Sequence, residues 1–136
     1  MKSQKTPVAS RAYLSMAMIS PVRCRQMADM IRGKKLEQAN RMLLLEKPKS
    51  ARILLKLLRS AMANAQQKGV ADLDRLYIST LMVNEGPRIK RFMPRAHGRA
   101  DGRLTRTSHI ELNLSEMNAK TTKGKTKLKT KKPGAN

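Results

Sequence analysis

The sequence predicts an α+β domain in which helices cover one face of a three-stranded sheet, with two strands joined through a long cationic arm. Three observations lead there. Apolar residues recur at helical spacing in three successive segments between positions 20 and 67. Two segments rich in β-formers follow, at 76–83 and 104–114. Between them the stretch 86–106 carries too few apolar residues to pack a core of its own, so it reads as an arm.

Residues 8–19, VASRAYLSMAMI, open the domain with a weak alternating pattern: Leu14, Met16 and Met18 on one side, Tyr13, Ser15 and Ala17 on the other. A helix then starts at a clear signal. Ser20 suits the cap position and Pro21 the first helical position, where its missing N–H costs nothing. Cys24, Met27, Ala28 and Ile31 fall on one face, and Gly33 is the expected stop. A second helix is predicted over 35–45, with Leu36, Ala39 and Leu43 on one face, and Pro48 separates it from the third. The third, over 49–67, has the strongest period. Ala51, Leu54, Leu55, Leu58, Ala61, Met62 and Ala65 form its expected core stripe, while Arg52, Lys56 and Arg59 share another face. Gly69 ends it.

The two β-segments have strand length. In the second, Ile110, Leu112 and Leu114 alternate with His109, Glu111 and Asn113. One long connection between two such segments suggests an antiparallel hairpin, and the first strand can complete a three-stranded sheet. The expected organisation is a basic segment at 1–7, one domain over 8–115 with its extension at about 85–106, and a lysine-rich tail over 116–136. The tail holds seven lysines, no acid after Glu116 and one leucine, so it is expected to be disordered alone.

Charge bounds the function. Among 136 residues, 30 are Lys or Arg and 9 are acidic, a formal charge of +21. A domain with that charge repels itself, and a polyanion that exchanges its counterions for these cations relieves the repulsion. Aromatic residues number three: Tyr13, Tyr77 and Phe92. Single-strand binders stack bases on several aromatics, so the expected partner is a folded nucleic acid held through backbone and shape. The lone Cys24 forms no intrachain disulfide, and no apolar run reaches the roughly 18 residues of a membrane span. The start has no apolar signal core, so secretion is not expected. No enzyme is expected either. His97 and His109 have no partner nucleophile, the Cys and two His do not make a zinc set, and no phosphate-binding P-loop is present. Neither a metal nor a cofactor is expected.

The arm carries the functional signal. GPRIKRFMPRAHGRADGRLTR holds Arg88, Lys90, Arg91, Arg95, Arg99, Arg103 and Arg106 against the single acid Asp101. Six of these seven cations are arginine, whereas lysine dominates the tail. A guanidinium forks onto phosphate oxygens and stacks on bases, while an ammonium is a hydrated point charge. The arm therefore looks fitted to a shaped polyanion, and without one its like charges are expected to spread it. Arg23, Arg25, Lys34 and Lys35 are further candidate contacts on the helical side. Two other classes fit the charge alone: a DNA-compacting protein with an apolar wedge at Met93-Pro94, and a basic membrane-surface protein.

The stretch 85–110, EGPRIKRFMPRAHGRADGRLTRTSHI, closely resembles the signature of bacterial-type large-subunit ribosomal protein family twenty-two. The upstream blocks ISPVRCRQMADMIRGKKLEQA and LLKLLRSAMANAQ resemble the same family in the same order, so the likeness covers roughly 8–115. The resemblance implies three helices packed on a three-stranded antiparallel sheet, with a long β-hairpin extension. It implies a structural constituent of the cytoplasmic ribosome whose partners are large-subunit ribosomal RNA, neighbouring ribosomal proteins and, transiently, the nascent peptide. It makes the eleven cations named above, from Arg23 to Arg106, ribosomal RNA contacts and gives the protein a part in subunit assembly. It puts the extension in the wall of the exit tunnel, with Ala96, His97, Gly98 and Arg99 as the tunnel-facing tip. One departure stands out: the family's tip holds a lysine or another long polar residue where this chain has His97.

Overall fold

A computed structural model describes residues 8–70 and 72–117. The elements run β1 (Val8–Ala17), α1 (Pro21–Ile31), α2 (Leu36–Leu45), α3 (Lys49–Gln67), β2 (Leu76–Glu85), β3 (Ile89–Pro94), β4 (Ala100–Thr105) and β5 (Ser108–Glu116), with short 3₁₀ turns at Leu73–Arg75 and Ala96–Gly98. The fold is α+β, as the sequence predicts. The last strand ends at Glu116; the expected basic segment 1–7 and the expected tail from 118 onward lie outside the described residues.

The sheet has the order β1-β5-β2, both pairs antiparallel. The last strand is the central one, and its alternation is the cleanest. Ile110, Leu112 and Leu114 are fully buried under the helices, and their neighbours across the sheet, Ala12, Leu81 and Val83, share that face. The helices supply the other half of the core: Cys24, Ala28 and Ile31 from α1, Leu36, Ala39 and Leu43 from α2, and Leu54, Leu58, Ala61 and Ala65 from α3. Two buried serines tie the layers together. Ser10 Oγ donates to Ala61 O at 2.7 Å and Ser108 Oγ to Ile19 O at 3.2 Å.

Side chains on and next to the helices reach both sheet edges. Along β2, Arg32 donates Nε and Nη2 to Leu81 O at 3.3 and 2.9 Å, and Arg25 donates Nε to Val83 O at 3.2 Å. Along β1, Asn64 of α3 donates to Arg11 O at 3.0 Å. These contacts occupy carbonyls that would otherwise template another chain.

Four local expectations change. In β1, Met16 and Met18 are exposed while Ala17 and Ile19 are buried. The pairing with β5 shifts between Leu14 and Ala17, and Met16 takes a positive φ of 50°. An extra residue in a strand reverses which side chains face inward, so the alternation read through this point fails. Ser20 stands at the cap of α1, but its side chain makes no capping bond; its carbonyl accepts from Cys24 N–H at 3.1 Å. In α3 the buried stripe takes in Leu57, with Leu55 and Met62 only half-buried. Finally, residues 104 and 105 belong to β4, so the sheet strand begins at Ser108.

Candidate nucleic-acid interface

The arm has regular structure of its own. β3 and β4 form a two-stranded antiparallel ribbon with six residue pairs, from Ile89↔Thr105 to Pro94↔Ala100. It continues from the β2–β5 pair across a root of unequal length. Three residues, Gly86 to Arg88, separate β2 from β3, while Arg106 and Thr107 alone separate β4 from β5. The two sides of the root thus differ by one residue. The root is fastened by Gly86 N–H donating to Thr107 O at 2.9 Å and by Thr107 Oγ donating to Pro87 O at 2.6 Å. Gly86 is needed there, since a Cβ would lie 2.5 Å from Thr107 Oγ1.

Beyond the root, every residue from 90 to 104 is exposed. Strand alternation sorts them onto two faces. One carries Arg91 opposite Arg103 and Met93 opposite Asp101; the other carries Lys90 opposite Leu104, Phe92 opposite Gly102 and Pro94 opposite Ala100. Like charges facing each other across a strand pair are destabilising, so the Arg91–Arg103 pair invites an anion between the two guanidiniums. Phe92 is 81% exposed, although an aromatic ring is ordinarily the first thing a fold buries.

The arm's cations divide by partner. Arg95 pairs with Asp101 at 3.0 Å and Arg88 with Glu85 at 3.3 Å. Arg103 directs Nη1 at Met93 sulfur, 3.7 Å away. Lys90, Arg91, Arg99 and Arg106 have no carboxylate partner among the described residues. At the tip, His97 has φ 57° and Gly98 φ 65°, and Arg95 N–H closes the turn onto Arg99 O at 2.7 Å. Ala96, His97, Gly98 and Arg99 are all exposed there.

The candidates on the helical side separate. Arg23 joins Arg106 in one groove of about 530 Å³ at the ribbon's root, with Lys49 and Ser20 also lining it. Arg25 is drawn onto the β2 edge, as described above. Lys34 and Lys35 lie at the opposite end of β2: Lys34 O accepts from Ile78 N–H at 3.0 Å, and Lys35 forms a bridge with Tyr77. Eight residues of strand, about 26 Å at roughly 3.3 Å per residue, put them far from the root. Lys47 and Lys49, absent from the sequence-based candidates, line a second groove with Arg52 and Lys56. The Lys-Pro-Lys turn before an acid-free helix was the available signal.

Two of the groups that catalysis could draw on, His109 and Cys24, are taken up by the fold. Met16 N–H donates to His109 Nδ1 at 3.2 Å, which makes that nitrogen the acceptor and puts the proton of a neutral ring on Nε2. The Tyr13 ring lies parallel to it, with the hydroxyl 3.3 Å from the same nitrogen. Cys24 is fully buried and burial pushes its thiol pKa up, away from the reactive thiolate. Among the described residues no three His, Cys, Asp or Glu side chains gather as a metal set, and no helix is long and apolar enough to cross a membrane.

Comparison with known proteins agrees with this arrangement. Residues 12–115 match the family model described as Ribosomal protein L22p/L17e. A protein of Trichlorobacter lovleyi named large ribosomal subunit protein uL22 is 52% identical over 108 residues, covering 79% of this chain and 95% of the relative. Proteins of the same name from Syntrophotalea carbinolica and Mesoplasma florum are each 48% identical over 107 residues, covering 79% of this chain and 97% and 96% of their own lengths. The match takes in both the helix-covered sheet and the ribbon, and the chain belongs to the L22p/L17e family of ribosomal proteins, the uL22 family of the large subunit.

Proposed function

We propose that this chain binds large-subunit ribosomal RNA, assists assembly of the subunit, and lines the nascent-peptide exit tunnel with its 85–106 segment. Membership of the family makes it a structural constituent of the large subunit in the cytoplasmic ribosome, not an enzyme. The ribbon is the long hairpin extension of that family, and Ala96 to Arg99 are its tunnel-facing tip. RNA contacts come from Arg88, Lys90, Arg91, Arg95, Arg99, Arg103 and Arg106, with Arg23, Arg25, Lys34 and Lys35 on the domain. Neighbouring ribosomal proteins and, transiently, the nascent peptide complete the partners.

One observation carries this reading: residues 90 to 104 are exposed without exception, in a ribbon whose opposed arginines face one another. A two-stranded ribbon standing alone in water is marginally stable at best. Packing from outside must supply what the chain does not, and a folded polyanion supplies both surface and opposite charge. Arginine suits that role because its planar fork reaches two phosphate oxygens at once.

The test is the ribbon's path in the intact particle. A photo-crosslinker placed at position 97 is expected to label large-subunit ribosomal RNA and nascent chains in translating ribosomes, and the protein to sediment with the large subunit. A chain found free of ribosomes after gentle lysis would sink the proposal. Crosslinks from position 97 to solvent-side ribosomal proteins alone would sink the tunnel assignment.

A further inference from the structure

We propose that the two grooves meeting at Lys49 form a second phosphate-binding track, in which Arg106, Arg23, Lys49, Lys47, Arg52 and Lys56 hold a ribosomal RNA backbone against the domain. The inference rests on the RNA-binding reading above and adds a surface to it. Four of the six residues lie outside the arm and outside the contacts the sequence suggested.

The cations converge by folding. Arg23 comes from α1, Lys47 from the α2–α3 connection, Lys49, Arg52 and Lys56 from α3, and Arg106 from the root of the ribbon. One groove, about 530 Å³, is lined by Arg23, Lys49 and Arg106 over Met18, Ile19, Met27 and Pro48. The other, about 470 Å³, is lined by Lys47, Lys49, Arg52 and Lys56 beside Ile53. Lys49 belongs to both, and its ammonium donates to Met18 O at 3.3 Å, which fixes it at the junction. Among the described residues no carboxylate lines either groove. An apolar floor beneath spaced cations suits a sugar–phosphate strand, which presents ribose faces between anionic oxygens.

The charge pattern of α3 is unlike that of its neighbours. At the end of α1, Arg32 pairs with Asp29, and in α2, Arg41 pairs with Glu37. The 19 residues of α3 contain Lys49, Arg52, Lys56 and Arg59 and no acid. These cations stand three or four residues apart, the spacing at which like charges repel along a helix. Among the described residues none of them meets a carboxylate. A bound phosphate strand would turn this repulsion into attraction. A lipid surface fits less well, because interfacial helices present an apolar face beside the cations and α3 has buried its own, Leu54, Leu57 and Leu58, in the core.

The experiment uses the full chain and deproteinised large-subunit ribosomal RNA. The groove variant carries Lys47→Ala, Arg52→Ala and Lys56→Ala, all exposed positions; the arm variant carries Arg91→Ala and Arg99→Ala. Hydroxyl-radical footprinting of the wild-type complex should show two separate protected backbone tracts. The groove variant should lose one and keep the other, the arm variant the converse. The groove variant's salt slope, log K against log salt, should fall by about two to three for three lost phosphate contacts. The single variant Arg52→Gln, which disturbs the fold least, should weaken the same tract. Both tracts and the slope unchanged in the groove variant would overturn the second track and leave the arm's role standing. Absence of any protection by the wild type would overturn both. Vesicles of phosphatidylglycerol and phosphatidylcholine give the lipid arm: vesicle binding lost in the groove variant, with the RNA footprint intact, would overturn the track in favour of a membrane.

Discussion

Thr107 Oγ donates to the carbonyl oxygen of Pro87 at 2.6 Å, across the root of the ribbon and 20 residues away in sequence. Thr107 is almost fully buried, so this bond is made where the exposed arm meets the core. Together with the Gly86 N–H to Thr107 O bond, it fixes the direction in which the ribbon leaves the sheet. Direction matters more than stability for an exposed ribbon proposed to make its contacts beyond its own domain. A small rotation at the root becomes a large displacement at His97.

Gly86→Ala should therefore act on the arm more than on the core. The new Cβ would sit 2.5 Å from Thr107 Oγ1 and 3.3 Å from the Thr107 carbonyl carbon, so either the Thr107 hydroxyl leaves Pro87 O or the backbone moves. Overpacking of this kind costs about 1–3 kcal/mol. The expected result is a lowered urea midpoint, with amide exchange through β3 and β4 accelerated over the wild type more than exchange through β5. An unchanged midpoint with unchanged exchange in the ribbon would refute the clamp.

Leu58→Ala and Leu55→Ala should differ, although the sequence puts both on the apolar side of α3. Leu58 is fully buried and Leu55 half-buried. Truncating a buried leucine costs about 2–5 kcal/mol, the upper values where the site cannot collapse. Leu58→Ala should cost that much, and Leu55→Ala less than half of it. Chemical denaturation of the two variants side by side measures the difference, and equal losses would contradict the packing described.

How far these features were legible depends on whether burial imposes a period. The three helices were, because one face of each must meet the sheet. The strand from Ser108 was, because Ile110, Leu112 and Leu114 all point into the core. The turn of β1 at Met16 was not, since a bulge inverts the alternation without leaving a compositional mark. The strands of the ribbon were implied by the family resemblance but hidden from periodicity, for a different reason. Both of their faces are exposed, so no inside and outside exist to alternate, and arginine density was all that remained to read. The role of Arg25 and Arg32 in covering β2 needed coordinates, since contacts 58 and 49 residues apart in sequence have no local signature. The groove at Lys49 was half visible: the acid-free face of α3 showed, and its meeting with Arg23 and Arg106 did not.

Cys24 offers a probe of the core that leaves the interface untouched. It is fully buried, and burial raises its pKa because the thiolate would be stranded among apolar groups. The native protein should react with a thiol reagent only through opening, so labelling should be slow under native conditions and rapid in denaturant. A pKa raised in the folded state stabilises the protein while the thiol is protonated, and this stability is lost as pH rises through the folded value. Stability measured upward from the ordinary thiol range should fall more for the native chain than for Cys24→Ala. Fast stoichiometric labelling of the folded chain would show that α1 does not seal this position.

His97 sets the geometry of the tip as well as its chemistry. Its φ of 57° is left-handed, a conformation that costs most side chains about 1–2 kcal/mol and β-branched ones more. His97→Gly removes that cost but gains freedom in the unfolded chain, a penalty of about 0.4–1 kcal/mol, so the two effects partly offset. His97→Val cannot adopt the turn and should break the Arg95 N–H to Arg99 O bond that closes it. Because the ribbon buries little, neither change should move the global unfolding midpoint appreciably. The difference should appear in amide exchange at Arg95 relative to the wild type, similar in His97→Asn and faster in His97→Val. If the His97→Val variant keeps that amide as protected as the wild type does, the left-handed turn is not what holds the tip. If His97→Asn keeps the turn but shifts nascent-chain crosslinking, then backbone shape and side-chain chemistry at this position are separable, and the imidazole itself meets the passing peptide.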